Sequence, residues 1–318
     1  MHCRGRPNER CATTAPAPLT IPATQSIPFS PVYQTQVRTY IDSNPTSAPR
    51  SRGGVATMNR LPSLYLSHGA PTLPIDPSLP SAEFGALSAQ LPRPESVLML
   101  SAHWGTAQPV VSTSTAPETI HDFYGFPRQL YEIQYPAPGA PDVARRAAVL
   151  LGEHGILTDA QPHGLDHGAW VPMLLMFPEA DIPVAQLSIQ PHMDAAHHFR
   201  VGRALRSLKE DGVMVIGSGQ ITHNLRAADF SARPGDADPR VAEFTDWFEA
   251  KLAAHDIDAL LDYRRQAPHA VLMHPTDEHL LPVFAALGAA DDDYSLAIQS
   301  LGTYQRSLAM TNYVFGTA

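Results

Sequence analysis

Cysteine and lysine are nearly absent from this chain. Its 318 residues hold two cysteines, Cys3 and Cys11, both near the N-terminus. The rest therefore has no disulfide framework and no thiolate metal site. A thiol-free body tolerates either redox compartment. The only lysines are Lys209 and Lys251, and beyond residue 57 there are 16 basic against 29 acidic side chains. Such a body repels a phosphate backbone, which argues against nucleic acid as a partner. No apolar run is long enough to span a bilayer, so no membrane partner is expected. There is no internal repeat, and Gly217-Ser218-Gly219 lacks the later glycine of the dinucleotide-binding motif.

The hydrophobic share, 44%, is ample for a core. Residues 1–57 stand apart: rich in Pro, Ser, Thr and Ala, they carry six arginines against Glu9 and Asp42. A segment of this kind buries too little surface to offset its ordering entropy, so disorder is expected. It lacks the apolar h-region of a secretory signal, and its Arg-rich, acid-poor character resembles an organelle transit peptide. The favoured reading is an over-extended start, because Met58 directly precedes the first convincing strand. The expected functional unit is then 58–318, with the cytoplasm as its expected location.

From Leu61 the texture changes. Buried strands are expected at Leu61–Leu66, Ser96–Ser101, Pro109–Thr113, Asp181–Ile189, Val213–Gly217 and Ser295–Ser300. Helices are expected at Ser81–Leu91, Pro141–His154, Ala195–Asp211, Asp238–Ala254 and Asp277–Leu287, the second opening on proline. Ala116–Pro138, rich in aromatics, Pro and Gly, reads as a long structured loop, and loops of that length are often functional. Strands alternating with helices give an α/β class: one domain with a central, mainly parallel sheet flanked by helices.

The histidines are the informative residues. Five sit beside Gly, Ser or a sharp turn: Ser67-His68-Gly69, Ser101-Ala102-His103-Trp104, Asp166-His167-Gly168, Thr222-His223-Asn224 and Glu278-His279. His68 and His103 each follow a buried strand, and ligands of α/β sheets gather at strand ends. Either alone is best read as a hydrogen-bonded turn histidine. Two at equivalent positions, side by side on neighbouring parallel strands, favour a metal site, since neutral imidazole binds Fe(II) and Zn(II).

These segments, together with Ile120-His121-Asp122-Phe123, Gly125-Phe126-Pro127, Ala169-Trp170 and Pro275-Thr276, resemble the class III extradiol ring-cleavage dioxygenases, in particular their 4,5-DOPA dioxygenase branch. The resemblance runs in order from Leu61 to the C-terminus. It implies one divalent metal per chain held by His68, His103 and His279, Fe(II) for activity, and O₂ and a DOPA-like catechol as partners. It puts His223 at the metal, either as a further ligand or as an acid/base group, and His167 beside the substrate. Related branches use two His and a carboxylate. Here His279 stands where that carboxylate acts, and an all-imidazole set also suits Zn(II). Glu278 is adjacent, but in a helical segment its side chain would point elsewhere.

A catechol must lose protons to chelate a metal through both oxygens, so a base with a near-neutral pKa is useful. A second histidine can donate a proton or orient O₂. His167 and His223 suit these roles, and which does which is open. Other candidates have blander readings. His121 is at least as well explained by pinning its loop. Core packing fits most of Trp104, Phe123, Tyr124, Phe126 and Trp170 better than an aromatic wall. His163 is expected at the surface, as are His192, His255 and His269. His197 and His198 face solvent or pack, and the resemblance supports His279 rather than His274. The competing functions are a zinc-dependent hydrolase using the same histidines and a metal-binding protein without chemistry. Oligomeric state is not legible.

Overall fold

A computed structural model describes residues 61–316 apart from Pro234. The expectation for residues 1–57 lies outside the described residues. The strands are β1 (Ser63–Ser67), β2 (Ser96–Ser101), β3 (Val110–Ser112), β4 (Asp159–Gln161), β5 (Val184–Gln186), β6 (Val213–Gly219), β7 (Ser295–Tyr304) and β8 (Leu308–Gly316). The helices are α1 (Ser81–Ser88), α2 (Pro141–Glu153), α3 (His167–Met176), α4 (Ala195–Leu205) and α5 (Pro239–Ala253). Three short helices follow, α6 (Ile257–Leu261), α7 (Tyr263–Gln266) and α8 (Ala270–Met273), then α9 (Leu281–Ala289).

Six strands form the main sheet in the order β5-β2-β6-β1-β8-β7. The first four run parallel, and β8 pairs antiparallel with both β1 and β7. The sheet is thus mainly parallel and the class is α/β, as the sequence implies. Both faces are covered, which is why β2 is an unbroken apolar run. Val97 and Met99 join a core with Leu64, Trp170 and Met173 on one side. Leu98 and Leu100 join Val201, Leu205 and Val215 on the other. A third cluster, built on Phe244, Phe248 and Phe284, packs around Tyr65 and Tyr313.

Several elements differ from expectation. β1 and β2 are not neighbours, because β6 lies between them. The strand expected at Asp181–Ile189 shortens to Val184–Gln186, and the helix expected from Ala195 to Asp211 turns 3₁₀ at Arg206. The helix expected from Asp277 begins only at Leu281, where Pro282 fits the first turn. Several elements lie outside the expected set: β4, the short helices α6–α8, α3 and β8. Helix α3 starts at His167, capped by the Asp166 side chain, which accepts from Ala169 N, and Pro172 inside it masks its helical signal. Strand β8 is the return arm of a hairpin with β7. The loop of residues 116–138 is irregular apart from a 3₁₀ turn at Arg128–Glu132.

Candidate active site

The site lies at the C-terminal ends of β1, β2 and β6. Ser67 of β1 is in register with Gly219, and Ser101 of β2 with Ser218. His68 and His103 therefore leave the sheet on either side of β6, whose end is Gly-Ser-Gly. These small residues leave room above them, and the two imidazoles meet across the intervening strand with His68 Nε2 3.0 Å from His103 Nε2. Histidine 279 arrives from the turn before α9. A side chain at Gly219 would put its Cβ 1.9 Å from the His279 carbonyl oxygen, so only glycine admits this approach. That oxygen accepts from Gln220 N at 2.9 Å and from the buried Tyr65 hydroxyl at 3.0 Å.

The partners of each ring fix where its proton sits. Ser218 Oγ donates to the Gly168 carbonyl oxygen at 2.5 Å, so its 2.9 Å contact with His68 Nδ1 must be received from an Nδ1–H. His103 Nδ1 lies 3.4 Å from Asp122 Oδ2, and His279 Nδ1 donates to Glu278 Oε1 at 3.1 Å. These partners favour the Nδ1–H form in each ring, which leaves the Nε2 atoms of His68 and His103 facing each other as bare acceptors. One donor nitrogen from each of the three lies within 4.8 Å of the others. Lone pairs facing at 3.0 Å repel unless a cation lies between them, so this donor set fits a divalent metal. The Glu278 side chain does not point elsewhere: Asp277–Leu280 is a turn, and Glu278 reaches back to His279 Nδ1 and accepts from Thr276 Oγ1 at 3.1 Å.

Electrostatics keep these rings neutral, as ligation requires. Burial, reinforced by the neighbouring imidazoles, pushes His68 well below the usual histidine range. Burial and the nearby His167 take His103 down to about 2. Burial also lowers His279, against the opposing pull of Glu278. Burial raises the Asp122 and Glu278 carboxyls, but hydrogen bonds from His167 and His279 outweigh it and hold each at about 2.

Histidine 167 opens α3, its ring centroid 3.8 Å from that of His103 and 5.3 Å from that of His68. Its Nδ1 donates to Asp122 Oδ2 at 2.9 Å, which leaves Nε2 as an acceptor. The buried edge of Phe123 meets its ring at 5.8 Å and 85°. His223 stacks on His279 with centroids 3.5 Å apart and planes at 13°. Burial, then His279, lowers its pKa to about 3. In-plane lone pairs of two stacked rings lie in nearly parallel planes, so in this placement an ion in the plane of His279 lies out of the plane of His223, which would have to turn its ring to bind it well.

The remaining candidates sort as follows. His121 Nε2 donates to the Ile133 carbonyl at 3.0 Å across its loop, a pinning role. Trp104 and Trp170 are core residues, Phe123 and Phe126 pack edge to face, and Tyr124 is 92% exposed. His163 is not at the surface: it is half-buried, stacked on Trp104 at 4.0 Å. His192 and His255 are exposed, while His269 is half-buried and pairs with Glu243 at 2.8 Å. His197 and His198 are buried in the first turn of α4, and buried His274 donates to the Ile221 carbonyl. Sequence reasoning gave no role to Asp122 or Ser218. Both lay within the quoted motifs, and a carboxylate beside an imidazole motif was the available signal.

Residues 78–316 match the family described as the catalytic LigB subunit of aromatic ring-opening dioxygenase. The chain belongs to this family and is an aromatic ring-opening dioxygenase of the extradiol kind. It is 43% identical over 235 residues to the 4,5-DOPA dioxygenase extradiol of Beta vulgaris, covering 72% of this chain and 87% of the relative. The 4,5-DOPA dioxygenase extradiol of Escherichia coli K12 is 36% identical over 270 residues, covering 82% and 97%. The dioxygenase tasH of Hapsidospora irregularis is 36% identical over 260 residues, covering 74% and 80%. A crystal structure of the uncharacterized protein JW3007 from Escherichia coli K12 superposes with a TM-score of 0.69 at 32% identity, covering 81% of this chain and all of that one. None of these relatives is named a hydrolase. Among the described residues, no helix is long and apolar enough to cross a membrane.

Proposed function

We propose that this chain cleaves a DOPA-like catechol with O₂, beside rather than between its hydroxyl carbons, at one divalent metal held by His68, His103 and His279. The observation that carries the ligand assignment is the convergence of one ring nitrogen from each of His68, His103 and His279 within 4.8 Å, with a partner for the other nitrogen of each ring. Fe(II) is the proposed metal for activity, with Zn(II) the competitor that an all-imidazole set accepts. When bound, the metal supplies a Lewis acid for the catechol oxygens and a route for electrons between catechol and O₂.

The protein's own groups manage protons and position. His167 Nε2, free because Nδ1–H is tied to Asp122, takes a proton from a catechol hydroxyl. Phe123, edge-on to His167, offers the catechol ring an apolar contact. His223 is the second acid/base group, held by His279 stacking and by its own N–H to the Met273 carbonyl. Residues 58–318 are the proposed catalytic unit. A cytoplasmic location belongs to the same proposal.

Anaerobic reconstitution with Fe(II), then O₂ uptake and visible absorbance with a panel of catechols, tests the reading. Stoichiometric uptake with a DOPA-like catechol is expected. Full turnover in His68→Ala, His103→Ala and His279→Ala would remove the ligand assignment.

A further inference from the structure

Asp122 faces two of the site histidines at once and has no role assigned above. It sits in the irregular loop between β3 and α2, yet its side chain is only 22% exposed. One oxygen, Oδ1, accepts from the His167 backbone N–H at 2.9 Å and so anchors the first residue of α3. The other, Oδ2, faces two rings: His167 Nδ1 at 2.9 Å and His103 Nδ1 at 3.4 Å. These two imidazoles lie against each other, centroids 3.8 Å apart. A carboxylate accepts and cannot donate, so His167 Nδ1 must carry a proton, and the same oxygen favours a proton on His103 Nδ1 at its longer, ion-pair distance.

We propose that Asp122 is a positioning residue that sets the tautomers of His103 and His167 with a single carboxylate oxygen, tying the metal ligand to the proton carrier. The inference rests on the roles proposed above for those two histidines. Its physical content does not depend on the reaction, because it concerns where two protons sit. With Nδ1–H held by Asp122, His103 presents a lone pair to the metal and His167 presents one to a substrate hydroxyl. A carboxylate behind a ligating imidazole also orients the ring and raises its basicity. The loop that carries Asp122 is itself pinned just before it, by Trp170 Nε1 donating to the Ile120 carbonyl and by His121 Nε2 donating to the Ile133 carbonyl. The carboxylate therefore arrives on a fixed backbone.

Asp122→Asn separates this role from simple packing. An amide has almost the same volume and can keep its oxygen on the His167 N–H. Its NH₂ group then faces both Nδ1 atoms, and donors meeting donors force the protons to Nε2. Turned the other way, the amide sets its NH₂ against the backbone N–H. Neither orientation serves all three partners.

The test uses ¹⁵N imidazole NMR on the Zn(II)-loaded, diamagnetic protein, Zn(II) affinity by calorimetry, and turnover of the Fe(II) protein. Wild type should show His167 as the Nδ1–H tautomer, and Asp122→Asn should convert it to Nε2–H. Zn(II) should bind about 10–100-fold more weakly and kcat should fall by about 10²–10³. Asp122→Glu, which keeps a carboxylate, should restore the tautomer and much of the rate, and it substitutes if the Asn variant fails to fold. In a His167→Ala background, Asp122→Asn should cost little further rate while still weakening Zn(II). A wild-type tautomer in Asp122→Asn with kcat within three-fold of normal would overturn the proposal. Normal turnover in His167→Ala would instead sink the proton-carrier reading and leave the tautomer result to stand alone.

Discussion

Ser218 dictates the tautomer of His68. Its hydroxyl has one proton, which goes to the Gly168 carbonyl oxygen at 2.5 Å, so the 2.9 Å contact with His68 Nδ1 runs from ring to hydroxyl. The Gly168 carbonyl belongs to the first turn of α3, and Ser218 belongs to β6. The ring of His68 is thereby locked to the same helix that presents His167.

Ser218→Ala should leave a buried Nδ1–H without a partner. Such an orphan costs about 1–3 kcal/mol, and a lost partner behind a ligand typically weakens metal binding about 10–100-fold. Calorimetric titration of the metal-free protein with Zn(II) measures the second effect and chemical denaturation the first. Unchanged affinity would mean that the ring is oriented by packing alone.

The approach of His279 to β6 depends on Gly219. Its backbone is ordinary strand, so the constraint is space: an added Cβ would lie 1.9 Å from the His279 carbonyl oxygen and 3.0 Å from the Tyr65 hydroxyl. Gly219→Ala should push the turn of residues 275–280 off the sheet, break the Gln220 and Tyr65 hydrogen bonds, and destabilise the protein by about 1–3 kcal/mol. The distinguishing readout is the Zn(II)-induced rise in Tm, which should shrink sharply. A wild-type rise in the variant would show that the turn can shift without moving the ring.

How much of this was legible in the sequence depends on how local each feature is. His68 and His103 announce themselves because each closes an apolar run, and a strand end is a local signal. Their meeting across β6 was not legible, since strand order is a property of the whole sheet and β6 is far along the chain. Helix α3 was hidden by Pro172 and by glycine and histidine in its first turn, residues of poor helix propensity. Asp122 sat in plain view beside His121, but its two ring partners come from β2 and α3, and no spacing rule connects them. A helix over residues 277–287 would turn Glu278 away from the site, but no helix forms before Leu281. In the turn that actually forms, adjacent side chains can meet.

Acid should destabilise the protein through a histidine remote from the candidate metal ligands. His198 Nε2 accepts from Gln190 N at 3.2 Å while Nδ1 donates to the Asp194 carbonyl at 2.9 Å, so its neutral form uses both nitrogens. Burial takes its pKa from 6.5 down to about 4. A histidine whose folded pKa is depressed contributes stability above its unfolded pKa, and that stability is lost as pH falls between about 6.5 and about 4. Denaturation of the metal-free protein across this window should show the fall, and His198→Gln should flatten part of it. An unaltered slope in the variant would assign the acid sensitivity to other groups.

The two acid/base candidates separate by metal retention. His167 donates its Nδ1–H to Asp122 and lies beside, not among, the three converging Nε2 donors. His167→Ala should therefore keep the metal and lose about 10²–10⁴ in turnover, the usual cost of one positioned proton carrier. His223 is face to face with His279 at 3.5 Å, a geometry in which its lone pair lies in a plane offset from that of His279. His223→Ala should likewise hold metal and turn over slowly. Metal analysis beside steady-state kinetics on a catechol decides both cases. Metal loss in His223→Ala would make it a true fourth ligand whose ring turns on binding. Near-normal turnover in both variants would mean that neither histidine is catalytic, and the reaction would need a different proton carrier.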